Sequence, residues 1–176
     1  MLPRCECINP IPYPYSVVHI CTDPEGTGPD THYKVLQVVA AGLRIACDRD
    51  DLDNANPIIW GYRNVWFVFT PTDTTLMIPC TQNDLDLMHE TFMSCFTTQK
   101  AASFPSPHYD GPFSAWARHI QKSQREMLVT LLGEEYFLHH QDERVRACGG
   151  FIFIKAMTAT QFLYEVEELK GKFENI

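Results

Sequence analysis

The sequence predicts an α+β fold: a single domain with a mainly antiparallel sheet, packed amphipathic helices and an extended Pro-rich N-terminal arm. Three observations carry that expectation. Val65 to Ile78 reads as two apolar strands around a Pro-containing turn; side-chain caps precede amphipathic runs near Thr81 and at Thr158; and Pro3, Pro10, Pro12 and Pro14 crowd the first fourteen residues. A length of 176 residues suits one core, and 45% hydrophobic against 20% charged residues is far from the composition of a disordered chain.

The prolines fix φ and remove backbone donors, so residues 1–14 are expected to form an extended arm and 15–176 the domain. Tyr15 to Cys21 reads as a strand, stopped by the turn formers Asp23-Pro24-Glu25-Gly26-Thr27-Gly28-Pro29. Residues 32–47 fit a long strand or a helix; length and Ala40, Ala41 and Ala46 favour a helix with Val35, Leu36, Val38, Val39, Leu43 and Ile45 on a buried face. Asp48 to Pro57 is a polar loop.

Val65-Trp66-Phe67-Val68-Phe69 and Thr74-Thr75-Leu76-Met77-Ile78, joined by Thr70-Pro71-Thr72-Asp73, predict a hairpin. A helix follows, capped by Thr81 or Asn83, with Leu85, Met88, Phe92 and Cys95 as its apolar stripe. The layout of hairpin and packed helix resembles the longin and roadblock platforms, a likeness of layout alone. Phe104 to Gly111 is a loop, and Pro112 sits where a helix running to about Leu132 tolerates it. Gly149-Gly150 reads as a turn before the strand Phe151-Ile152-Phe153-Ile154, and Thr158 with Gln161 forms a capping box for a last helix bearing Phe162, Leu163, Val166, Leu169 and Phe173.

A formal net charge of −8 disfavours nucleic acid, where affinity comes from Lys and Arg displacing counterions. Seven cysteines, an odd number, and an opening Met1-Leu2-Pro3-Arg4-Cys5 unlike a signal peptide point to reduced thiols and an intracellular, cytoplasmic or nuclear, location. Apolar runs are only strand-length, so no membrane span is expected.

Cys5 and Cys7 on the arm, with His19 and Cys21 on the first strand, form the one candidate metal set, since residues two apart on extended backbone face one way and these are zinc ligands. Ordinary buried thiols are the competing account. No other cofactor is expected. Asp48, Asp50, Asp51 and Asp53 fail the calcium-loop pattern and read as a solvated loop. His89 and Cys95, six apart, diverge on a helix, whereas Cys148 before two glycines is a candidate nucleophile with exposed amides behind it. His139 and His140 are expected to point apart at an exposed helix end, and Gly26-Thr27-Gly28 lacks the rest of a dinucleotide fingerprint.

Arg118, Lys122 and Arg125 form a basic stripe, four and three residues apart, opposite Phe113, Trp116, Ala117, Ile120, Met127, Leu128 and Leu131. With Tyr13 and Tyr15 of the arm it is the candidate protein-binding surface, against the alternative of a merely solvated face. The expectation is a non-catalytic interaction or assembly module binding a protein partner or a second copy, a homodimer for instance. A zinc-stabilised module and a small Cys-dependent enzyme are the alternatives. If the Cys/His set holds zinc, elemental analysis will find about one metal per chain, and replacing Cys5 and Cys7 by Ser will lower the melting temperature. Metal-free protein with unchanged melting would remove the site.

Overall fold

The structure, a computed structural model, describes residues 17–22, 29–48, 57–63 and 65–174. It is an α+β fold, as the sequence predicts. Among the described residues four strands, β1 (Val17–Cys21), β2 (Ile58–Tyr62), β3 (Leu76–Thr81) and β4 (Cys148–Thr158), lie in the order β1-β2-β4-β3. β1 and β2 are parallel, joined across α1 (Pro29–Asp48); β2 with β4 and β4 with β3 are antiparallel. The other helices are α2 (Gln82–Cys95), α3 (Phe113–Leu132), the short α4 (Glu134–Leu138) and α5 (Glu143–Arg146), and α6 (Ala159–Glu174). Among the described residues no helix is long and apolar enough to cross a membrane. The N-terminal arm lies outside the described residues.

Strand register explains where the core sits. Ile59 aligns with Met157, and Ile20 with Gly61 and through it Lys155; Phe153 aligns with Met77. Alternate strand residues share a face, so Phe151, Phe153, Lys155 and Met157 all project from the same side of β4. Met157 joins Ile20, Leu36, Ala40, Ile59, Phe162 and Val166 in one buried cluster, built with α1 and α6. Phe151 and Phe153 join Phe69, Leu128, Phe137, Val145 and Cys148 in another, built with α3 and α4. Lys155 stands on the strand between the two.

Local signals account for the helix ends. Thr81 Oγ1 accepts from the Asp84 amide at 3.2 Å while Asp84 Oδ2 accepts from the Thr81 amide at 2.8 Å, a reciprocal capping box. Thr158 and Gln161 repeat it at α6, with bonds of 3.2 and 2.9 Å. α3 begins at Phe113, just after Pro112. The stretch that fits either strand or helix, 32–47, is helical throughout.

Several expectations are corrected. Val65 to Phe69 is not a strand, and β3 pairs with β4 instead of with it. The turn at Thr70 to Asp73 does form, closed by Asp73 N to Thr70 O at 3.1 Å, but the preceding residues pack as a linker. The Val65 carbonyl accepts from Trp116 Nε1 at 3.0 Å, the Trp66 ring lies 4.8 Å from Phe104, and Phe69 enters the second cluster. Without that hairpin, the layout resembling longin and roadblock platforms is gone as well. β2 falls where no strand was expected. In α2 the buried residue is Leu85 with His89, Phe92 and Met93 half-buried, while Met88 and Cys95 are exposed, so its inward stripe is rotated from the one read in sequence.

Gly149-Gly150 is part of β4, not a turn before it. A Cβ at Gly150 would stand 2.9 Å from the Gln121 backbone oxygen, so the missing side chain is what lets α3 approach the strand. Because backbone on a long helix cannot step aside, Gly150→Ala is expected to cost about 1–3 kcal/mol in denaturant unfolding. Gly149→Ala, whose nearest contact would be 3.4 Å, will cost less. Equal stability of the two variants would contradict this close approach.

Candidate interaction surface

The basic stripe of α3 is engaged within the chain. Arg118 Nη1 donates to Asp86 Oδ1 of α2 at 2.7 Å. The Asp86 carboxyl is held below its ordinary range chiefly by the hydrogen bond from Gln82, then by Arg118 and the Lys122 charge. Arg125 Nε donates to the Cys148 carbonyl at 3.0 Å and Nη2 to Glu134 at 2.9 Å, with its guanidinium 5.5 Å from the Phe137 ring centre. The expected phase of α3 is corrected accordingly. Gln124 and Leu128 are buried on the side that Arg125 shares, whereas Met127 and Leu131, read as core, stand 38% and 63% exposed. Arginine stems are apolar and their heads can be satisfied from neighbouring elements, so a basic stripe need not face water.

The buried thiols are arranged against nucleophilic chemistry. Cys80 and Cys148 sit on adjacent strands; burial pushes the Cys80 thiol up to about 11, with Asp84 adding to the effect. Burial also raises Cys148, outweighing the lowering influence of Arg125. A reactive thiol needs the opposite, a positive field strong enough to release the proton. Gly150 lies in the sheet opposite Cys80, with the Gln121 backbone packed against it. Cys95 is exposed, and His89 Nδ1 instead meets Ser114 Oγ at 2.9 Å. His139 pairs with Glu135 at 3.0 Å and His140 Nδ1 accepts from the Asp142 amide at 3.0 Å, so the two histidines do diverge.

Of the candidate metal set, Cys5 and Cys7 lie outside the described residues; His19 and Cys21 occupy β1 in register with Trp60 and Tyr62. Tyr13 and Tyr15 also lie outside, as does the acidic run beyond Asp48. Among the described residues no three His, Cys, Asp or Glu side chains gather to hold a metal ion.

What the sequence reading placed in the core and the structure leaves in solvent is one side of α1. Leu36 and Ala40 are buried, with Val39 and Leu43 packed against their cluster. Val35, Val38 and Ile45, expected on the same buried face, are instead 52%, 70% and 52% exposed. Thr31, Ala41 and Gly42 lie exposed among them, and nothing stands within 4 Å of where a Gly42 Cβ would be. Apolar residues run nearly all round α1, so their spacing alone does not say which of them face the core. No family model, curated protein or solved structure matches this chain.

The thiol environments predict a reactivity order. At neutral pH iodoacetamide should label Cys47 and Cys95, which are exposed, while Cys80 and Cys148 stay unlabelled until denaturant is added, as read by peptide mass mapping. Because the folded Cys80 pKa is raised, its labelling in native protein should grow only as pH approaches about 11. Rapid native labelling of Cys148 would favour the enzyme alternative.

Proposed function

We propose that this chain is a non-catalytic assembly module that associates with a second copy of itself through the outward face of α1. One observation carries the reading: Val35, Val38 and Ile45 are exposed by half or more along a single side of the helix, around an open Gly42. Full burial of an aliphatic side chain returns about 1.5–3 kcal/mol, so leaving three in water is a standing cost that association relieves. Thr31, Val35, Val38, Gly42 and Ile45 alternate four and three residues apart, the spacing of a seam between two helices.

Antiparallel docking centred between Val38 and Gly42 sets Val38 of each helix over the open Gly42 of the other, which favours an antiparallel copy. A single helix pair buries less than the roughly 1,200 Å² at which stable interfaces begin, so the dimer is reversible and depends on concentration. The net charge of −8 supports a protein rather than a nucleic-acid partner. An intracellular setting, cytoplasmic or nuclear, goes with this reading, supported by the free thiols of Cys47, Cys80, Cys95 and Cys148.

Sedimentation should find a monomer–dimer equilibrium that shifts with concentration. Val38→Glu should abolish it while leaving circular dichroism and melting within about 0.5 kcal/mol of the parent, because the side chain is already in solvent. A parent monomeric at every concentration, or a folded Val38→Glu protein that still dimerises, rules the proposal out.

A further inference from the structure

Between α6 and the turn at Thr70 to Asp73 lies a cleft of about 390 Å³, floored by Leu36, Phe69, Met157 and Phe162 from the two buried clusters. It opens where the parallel strands β1 and β2 end, since Thr22 and Arg63 follow directly on their last residues and both line it. The carboxyl ends of parallel strands are where crevices for ligands form in α/β sheets.

Arg63 is the unexplained group there. Its guanidinium stacks over the Phe69 ring at 4.7 Å, yet its Nε is buried with no hydrogen-bond partner, and among the described residues it forms no ion pair. A buried guanidinium N–H left without an acceptor is costly, and such groups are rare in folded chains. The other basic group deep in the cleft, Lys155, is neutralised by Glu165. What Arg63 lacks is therefore an acceptor with the planar two-oxygen geometry that its fork fits best.

We infer that this cleft binds a small amphipathic monocarboxylate, its carboxylate on the Arg63 fork and its apolar body over Met157 and Phe162. Charge around the cleft selects that class. Glu165 is taken by Lys155, and the other charges lining the cleft, Arg63 and Lys172 against Asp73 and Glu168, cancel, so no surplus positive charge favours a dianionic phosphate, whereas a single negative charge with a hydrocarbon tail meets Arg63 and then an apolar floor. The volume lies within the range of small-molecule sites, towards its lower end. The inference is independent of the α1 interface, because α1 contributes only its inward residue Leu36 to the cleft.

Decanoate is the probe, with decanol and inorganic phosphate as controls, followed on full-length protein by methyl NMR of the methionines and by calorimetry. Decanoate should shift the Met157 methyl signal saturably and leave Met127, exposed on α3, in place. Arg63→Gln should weaken binding at least tenfold and Arg63→Lys by an intermediate factor, while Val38→Glu should not alter the Met157 response. Should both arginine variants fail to fold, the parent decides alone: decanoate must perturb Met157 where decanol and phosphate do not. Equal binding of decanol, equal binding of phosphate, or undiminished binding by folded Arg63→Gln each overturns the inference.

Discussion

β4 is the member on which everything else rests, because its one face supplies both hydrophobic clusters and both of its edges are paired. Phe151 and Phe153 hold α3 and α4 in place; Met157 holds α1 and α6. Between them Lys155 must project into the same layer, and a lysine there requires a carboxylate and some water. The gap between the clusters, with Arg63 beside it, follows from placing a charged residue at the position between Phe153 and Met157 on that face of β4. Substituting an apolar residue for Lys155 would let the two clusters merge, at the cost of the cleft.

A second constraint is the close seating of α3. Gly150 admits the Gln121 backbone, Arg125 reaches the Cys148 carbonyl, and Arg118 reaches across to Asp86. The ion pairs are half exposed and contribute modestly, under about 1 kcal/mol each, whereas a charged donor on a backbone carbonyl contributes about 1.5–3 kcal/mol. In a chain with 14 Lys and Arg against 22 Asp and Glu, such placement matters. These two arginines serve internal cohesion instead of an outward docking face.

The elements legible in the sequence were those fixed by neighbours a few residues away. Thr81 with Asp84, and Thr158 with Gln161, announce helix starts within four residues of chain, and Pro112 does the same for α3. Those that depended on distant partners were not legible. Val65 to Phe69 has the composition of a strand, but Trp116 and Phe104 claim its polar and aromatic groups. Arg125 and Arg118 looked solvated because Glu134, Cys148 and Asp86 lie on other elements. For the candidate surface, α1 was recognised as apolar but its two sides could not be told apart, since only the sheet and α6 decide which valines turn inward. Arg63 gave no local sign at all; its orphaned Nε exists only once Phe69 and β4 surround it.

The strand order also has a consequence for how the chain reaches its native state. β2 and β3 follow one another in sequence but never touch; each waits for β4, which comes after both, so Ile58 must find Thr158 and Leu76 must find Ile154 across long intervening stretches. Contacts that close large loops are entropically late, and folding slows as they come to dominate. While the chain is being made, β1 and β2 can pair through α1, but β3 remains an unpaired edge, and an unpaired edge is what invites adhesion to other nascent chains. The order in which the strands emerge from the ribosome thus leaves the edge of β3 unsatisfied until the last strand arrives.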